Sequence, residues 1–130
     1  MNTKLLLSAS AVVLGVAGIA ASFLPQELLR AADIESTALL PVFIQLLGAL
    51  WFAFAMVNWT ARGSLIGGIY NRAVAIGNLT HFVIGSFALV KGAMATQDSR
   101  LWILTIVYAI FAIAFALLFF SSPRVERPAP

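Results

Sequence analysis

Charged residues divide the chain into four long uncharged stretches. An α-helix rises about 1.5 Å per residue, so roughly 20 apolar residues cross the hydrocarbon core of a bilayer. The third stretch is the shortest, so it needs either a locally thin bilayer or that Arg72 and Lys91 at its ends extend their charges toward the headgroups. The pattern predicts four transmembrane helices, over about residues 5–24, 38–61, 73–91 and 101–121.

The composition favours a membrane location for the whole chain. Of 130 residues, 62% are hydrophobic and 10% are charged, and a soluble domain of this size would expose too much apolar surface. Short connections make sequential helices antiparallel neighbours. The sequence therefore predicts an all-α fold: a single integral-membrane domain over residues 1–130, an up-down-up-down four-helix transmembrane bundle with a disordered, proline-rich tail at residues 122–130.

The first stretch has a second interpretation, as a secretory signal peptide. It combines a basic residue, Lys4, with an apolar run and with small residues at Gly18 and Ala20. The apolar run continues to Leu24, which is longer than a usual signal core. This length favours a retained transmembrane helix.

The distribution of basic residues predicts the orientation. An even number of spans places both termini on one side, and short cytoplasmic segments are enriched in Lys and Arg. The terminal side carries five basic residues against three on the other, which predicts cytoplasmic termini in the inner (plasma) membrane. The five are Lys4, Arg62, Arg72, Arg124 and Arg127. The segment 62–72 between the second and third helices is interpreted as a loop lying on this cytoplasmic interface.

Small and aromatic residues predict how the helices pack. In lipid, helices associate through close backbone approach at small residues and through hydrogen bonds. Phenylalanines of the last helix, at positions 111, 115, 119 and 120, are interpreted as a ridge that faces lipid. The small residues expected to face neighbouring helices are Ala11, Gly15, Gly18, Ser22, Gly48, Ala49, Ala53, Gly77, Gly85, Ala88, Gly92, Thr105, Ala109, Ala112 and Ala116.

Several kinds of chemistry find no support in the residues. The predicted helices carry no charged side chain at mid-membrane depth, which argues against a proton-coupled pump. The chain has no cysteine, no cluster of metal-ligand residues and no nucleophile–histidine–acid set, so we predict no catalytic residue and no metal site. Its basic residues are scattered, which argues against binding of nucleic acid.

His81, the single histidine, lies near mid-membrane. The structural interpretation, which we favour, is a neutral imidazole hydrogen-bonded across the bundle to Gln45 or to a backbone carbonyl. The functional interpretations are a proton relay, a haem ligand or a hydrogen-bond partner for a quinone, and the cofactor stays open. A haem with two axial protein ligands would need a second protomer or a methionine such as Met56 or Met94.

Two asparagines and a tryptophan complete the candidate polar set. Asn58 and Asn78 lie toward the cytoplasmic ends of adjacent helices, and an amide pair between them would stabilise the hairpin. A polar vestibule for a headgroup or small substrate is the alternative. Trp51 lies in the middle of the second helix, where its indole N–H needs a partner inside the bundle or a ligand. Core packing is the favoured role of this ring.

Three segments carry a resemblance: residues 46–59 (LLGALWFAFAMVNW), 67–72 (GGIYNR) and 77–82 (GNLTHF). Together they resemble a group of small bacterial inner-membrane proteins with four transmembrane helices and no assigned activity. The resemblance covers the second and third helices. It implies a bacterial four-span protein in which Asn58, Arg72, Asn78 and His81 belong to one polar cluster.

Three functional hypotheses follow. The first is an accessory or scaffold subunit that binds a partner protein or a lipophilic ligand through the bundle. The second is an oligomeric transporter or channel for ions or small solutes, and the third is a haem- or quinone-linked redox protein that uses His81. The lipid bilayer is the expected environment, within a homo-oligomer or a larger membrane complex, and a non-enzymatic role is favoured.

Overall fold

The structure, a computed structural model, describes residues 2–63 and 69–121, and these residues form five α-helices. Among these residues, four of the helices are long and apolar enough to cross a membrane, so the predicted number of candidate spans is confirmed. The predicted interfacial loop lies partly, at residues 64–68, outside the described residues, and the predicted disordered tail at 122–130 lies wholly outside them. The helices are α1 (Thr3–Phe23), α2 (Pro25–Ala31), α3 (Leu40–Ala61), α4 (Ile69–Thr96) and α5 (Ser99–Ser121).

The chain divides into two compact units. We call residues 2–63, with α1 to α3, the first hairpin, and residues 69–121, with α4 and α5, the second hairpin. The long helices of each hairpin are antiparallel, as predicted: Gly18 approaches Gly48 while Gly15 approaches Ala55, and Gly92 approaches Leu101 while Gly85 approaches Tyr108. The single four-helix bundle and the orientation of its termini stay predictions.

A short helix, α2, occupies the segment that the sequence analysis treated as a plain connection. Pro25 begins it, which suits the fixed backbone angle of proline, and Glu27 and Arg30 lie at the ends where the helix dipole favours their charges. Asp33 takes a left-handed conformation (φ 56°) just after the helix, and the Ile34 amide donates to the Leu29 carbonyl at 3.0 Å. Leu29 is buried and anchors α2 to the first hairpin.

Helix α4 is longer than predicted. It has 28 residues, Ile69–Thr96, whereas the sequence predicted a helix over about residues 73–91. It continues past Lys91, whose side chain is exposed, because a single charged residue at the edge of a span is a good helix former and does not end a helix. The helix stops where Gln97 takes a left-handed conformation (φ 57°) and its amide donates to the Ala93 carbonyl at 2.9 Å.

Backbone approach holds the first hairpin together. A methyl group added to Gly48 would lie 2.6 Å from the Ser22 backbone nitrogen and 2.8 Å from the Gly18 carbonyl oxygen, so no side chain fits between α1 and α3 there. This confirms the predicted roles of Gly18 and Gly48. The expectation for Ala49 and Ala53 was wrong, because both are exposed and the buried alanine on α3 is Ala55.

Aromatic packing holds the second hairpin together. Phe82 on α4 is fully buried, and its ring stacks on Phe111 and Phe115 of α5 at centroid distances of 4.9 and 5.7 Å. The predicted lipid-facing ridge was therefore wrong for Phe111 and Phe115, which are buried, whereas Phe120 is 78% exposed and its contact with lipid stays a prediction. Ala88 is also exposed, contrary to expectation. The rings point inward because Phe82 offers an aromatic partner on the facing helix.

Candidate functional site

The central feature of the second hairpin is a pair of side chains, His81 on α4 and Tyr108 on α5. The Tyr108 Oη and His81 Nε2 atoms lie 3.4 Å apart, the ring centroids are 5.6 Å apart, and both side chains are partly buried. Both residues lie near the middle of their spans, Arg72–Thr96 and Ser99–Phe120. In the contact between them, either the hydroxyl donates to the imidazole nitrogen or the imidazole N–H donates to the hydroxyl oxygen, and the imidazole tautomer sets the direction.

Gly85 determines where the Tyr108 ring lies. A methyl group at Gly85 would be 2.6 Å from Cε1 and 2.8 Å from Cδ1 of Tyr108, so the ring rests directly on the α4 backbone. Gly85 is one helical turn after His81, which places both on the same face of α4. The absence of a side chain at Gly85 therefore brings the tyrosine hydroxyl to His81.

Phe82 supports the pair from inside the hairpin. Its ring contacts His81 edge-on at 5.1 Å and Tyr108 edge-on at 5.2 Å between centroids. Because Phe82 is fully buried and stacked on Phe111, the two polar rings have a fixed aromatic wall on one side. Such edge-to-face contacts restrict the orientation of both rings.

Asn78 and Arg72 lie on the same helix as His81 but have separate contacts. Asn78 is fully buried, and its Nδ2 donates to the Val74 carbonyl at 2.9 Å, within α4. The Arg72 guanidinium lies over the ring of Phe119, 5.6 Å from the ring centroid, at the end of the hairpin away from the α4–α5 turn. Asn78 thus has a hydrogen bond within its own helix, and Arg72 lies at the end of the hairpin.

The other predicted site residues belong to the first hairpin. Asn58 and Ser10 are fully buried, and the Asn58 Nδ2 donates to the Ser10 Oγ at 3.0 Å, while that hydroxyl donates to the Leu7 carbonyl at 3.1 Å. Gln45 Nε2 donates to the Ser22 carbonyl at 3.4 Å. The structure thus gives Asn58 a partner on α1, and the proposed pair of asparagines stays a prediction.

The sequence indicates that the indole N–H of Trp51 needs a hydrogen-bond partner. Its Nε1 atom is buried and has no hydrogen-bond partner among the described residues. A buried N–H without a partner costs free energy. The residue as a whole is half-buried, and its predicted role in core packing stays a prediction.

The six predicted residues are divided equally between the two hairpins. Gln45, Trp51 and Asn58 are in the first, and Arg72, Asn78 and His81 are in the second; the single polar cluster implied by the resemblance stays a prediction. The sequence analysis missed Tyr108. A tyrosine at the centre of an apolar span, far from the interfaces that tyrosine prefers, was the available signal.

The interaction that the His81 and Tyr108 side chains make is a hydrogen-bonding contact between a hydroxyl and an imidazole nitrogen. Among the described residues, no group of three or more histidine, cysteine, aspartate or glutamate side chains could hold a metal ion. The hydroxyl would have to leave His81 Nε2 if that nitrogen were to ligate a haem iron.

No protein-family model, curated protein or solved structure matches the chain. The resemblance to a bacterial four-span group therefore stays a prediction.

Proposed function

We propose that the chain is an accessory or scaffold subunit within a membrane, and that it binds a partner protein or a lipophilic ligand through the faces of its helices. The observation that carries this proposal is the inward bonding of buried polar groups. Asn58 bonds to Ser10, and Asn78 bonds to its own helix. Buried polar groups that form hydrogen bonds within a hairpin stabilise it rather than line a path for ions.

The outward faces supply the surface for such binding. Leu46 of α3 is 62% exposed and Ile110 of α5 is 61% exposed, in company with many other large apolar side chains of the four spans. We further propose a bacterial inner membrane with both termini in the cytoplasm, supported by the excess of basic residues on the terminal side and by the resemblance.

Photo-crosslinking from single positions in native membranes tests the proposal. Benzoylphenylalanine replaces Leu46 or Ile110, and the matched control replaces Leu14, which is 1% exposed in the seam of the first hairpin. We expect one adduct of defined mass from an exposed position and only intrachain products from position 14. Adducts with bulk lipid alone, together with a clean protein mass in native mass spectrometry, would contradict the proposal. Solute flux into reconstituted liposomes would favour the transporter hypothesis instead.

A further inference from the structure

Two basic residues, Lys4 on α1 and Arg62 after α3, lie at the same end of the first hairpin. The Asn58 Nδ2 atom donates to the Ser10 Oγ atom at 3.0 Å, and this bond gives the register of the antiparallel helices α1 and α3. Lys4 lies six residues before the bond and Arg62 four residues after it, about 9 and 6 Å beyond it along the two helices. Lys4 is one helical turn before the buried Leu7, and Arg62 is one turn after Asn58. Both basic residues therefore extend the line of contact between the helices.

Positive and negative charges lie at opposite ends of this hairpin. Its three carboxylates all lie between the end of α1 and the start of α3. They are Glu27, Asp33 and Glu35. Helix α1 has 21 residues, so about 30 Å separates these carboxylates from Lys4 along the helix axis. Lys4 and Arg62 therefore present positive charge that no carboxylate within residues 2–63 offsets.

Trp59 orients the Arg62 guanidinium. The Arg62 Cζ atom lies over the Trp59 ring, 3.1 Å from the ring centroid. A guanidinium stacked in this way contacts the ring through its face, while the N–H groups at its edge can donate to two oxygens of one phosphate. Trp59 is 46% exposed, and an exposed tryptophan at the end of a span is typical of the headgroup level. The two side chains therefore offer a planar cation at the depth of lipid phosphates.

We infer that the phosphate of an anionic phospholipid binds between Lys4 and Arg62, with its acyl chains along the outside of the first hairpin. A lipid fits better than a soluble anion, because apolar side chains border both cations on the side of the spans: Leu5 is 67% exposed, and Met56, one turn before Trp59, is 49% exposed. A zwitterionic headgroup brings its own cation, which Lys4 and Arg62 repel. The inference goes beyond the proposed function, because this lipid binds at the end of the hairpin and needs no partner protein.

The competing explanation is simple anchoring. Basic and aromatic side chains hold the end of a span at the interface without selecting any lipid. Arg30 separates the two explanations, because it is an exposed basic residue of the same hairpin that lies on α2, at the end with the carboxylates. Arg30→Gln changes the net charge by as much as Arg62→Gln does, but it leaves Lys4, Trp59 and Arg62 in place.

The test is native mass spectrometry of the purified full chain, titrated in detergent with phosphatidylglycerol or with phosphatidylcholine of the same acyl chains. We expect saturable retention of one phosphatidylglycerol, bound more tightly than phosphatidylcholine. Lys4→Gln and Arg62→Gln should each weaken it about fivefold, the equivalent of about 1 kcal/mol per basic residue at a membrane surface. Arg62→Lys keeps the charge but loses the planar group, so it should weaken binding less than Arg62→Gln. Arg30→Gln is the matched control and should leave the affinity unchanged.

Three results would overturn the inference. The first is equal retention of the two lipids, and the second is equal weakening by Arg30→Gln and Arg62→Gln in variants of unchanged helicity. The third is displacement of phosphatidylglycerol by an equal concentration of inorganic phosphate, since a soluble anion would then occupy the site. The scaffold proposal is judged separately, because Leu46 lies 16 residues from Arg62, about 24 Å along α3, and its crosslinks can be measured in the Arg62→Gln variant.

Discussion

The two hairpins solve the same packing problem in different ways. In the first hairpin, α1 and α3 meet through backbone, and at Gly18 and Gly48 an added methyl group would come within 2.6–2.9 Å of the facing helix. In the second hairpin, α4 and α5 are separated by rings, with Phe82 stacked between Phe111 and Phe115. The contact between α1 and α3 depends on glycines, which have no side chain, whereas the contact between α4 and α5 depends on large aromatic side chains.

This difference in packing bears on which hairpin contains the candidate site. In the first hairpin, the fully buried Asn58 and Ser10 bond to each other between α1 and α3. In the second hairpin, the partly exposed His81 and Tyr108 meet over Gly85. The candidate site therefore lies in the aromatic hairpin, although each hairpin has one fully buried residue of the predicted polar set, Asn58 in the first and Asn78 in the second.

The largest effect is expected at the centre of the aromatic seam. Phe82→Ala removes a fully buried ring with contacts to four others, and we expect the free energy of unfolding to fall by about 3–5 kcal/mol. Reversible unfolding in mixed micelles, followed by circular dichroism, measures this change. Phe120→Ala is the control, because a ring that is 78% exposed contributes little to the seam. Equal losses in both variants would contradict the assignment of the core.

A smaller effect is expected at the backbone seam. Gly48→Ala places a methyl group 2.6 Å from the Ser22 nitrogen, and because backbone cannot yield like a flexible side chain, α1 and α3 must move apart at a cost of about 1–3 kcal/mol. Gly63→Ala, in open space, serves as the control in the same micelle assay, and Gly15→Ala, with ordinary contact at 3.6 Å, should fall between them. A Gly48→Ala variant as stable as Gly63→Ala would show that the helices do not meet there.

The third prediction compares the coupling free energies of one polar side-chain pair in each hairpin. A double-mutant cycle with Ser10→Ala and Asn58→Leu should yield a coupling of roughly 0.6–1.7 kcal/mol, the range seen for hydrogen bonds between membrane helices. The cycle with His81→Leu and Tyr108→Phe should yield less, because that contact is 3.4 Å and partly buried, whereas the first is 3.0 Å and fully buried. The reverse order would assign the His81–Tyr108 pair a structural rather than a binding role.

The number and approximate position of the spans were predictable because charge and hydropathy belong to single residues. The end of α4 was not, since Lys91 can lie in a helix and expose its charge, and the stop comes from the backbone angle of Gln97. The buried faces of the helices were predictable only in part. Gly18 and Gly48 meet as expected, but Ala55 rather than Ala53 lies between α1 and α3. Which face is buried depends on the partner helix, and one helix alone carries too little of that information.

Tyr108 shows the same limit for the candidate site. His81 attracted notice because a titratable side chain in an apolar span is rare. Its partner is 27 residues away in sequence, and the link between them depends on Gly85, which the sequence indicated only as a packing residue. A pair of this kind becomes visible when the register of α4 against α5 is known.

The smallest effect is expected at the turn that joins α4 to α5, where the second hairpin has an ion pair. Asp98 accepts hydrogen bonds from the Arg100 side chain at 3.1 Å and from its amide at 2.8 Å, and the Arg100 side chain holds the pKa of Asp98 below its ordinary value of 3.8. A lowered pKa in the folded state means that the carboxylate stabilises the turn fully above about pH 4, and that this contribution is lost as the pH falls through the folded-state value.

Asp98→Asn keeps a capping side chain and removes only the charge, so it isolates this contribution. At neutral pH we expect the wild type to be slightly more stable than Asp98→Asn, by an amount that salt reduces because the pair is exposed. The difference should be constant from pH 7 to about pH 5 and should shrink toward zero below pH 4, since protonated Asp98 then resembles the variant. A difference that does not change with pH would mean that the Asp98 charge leaves the turn unaffected and that capping alone begins α5.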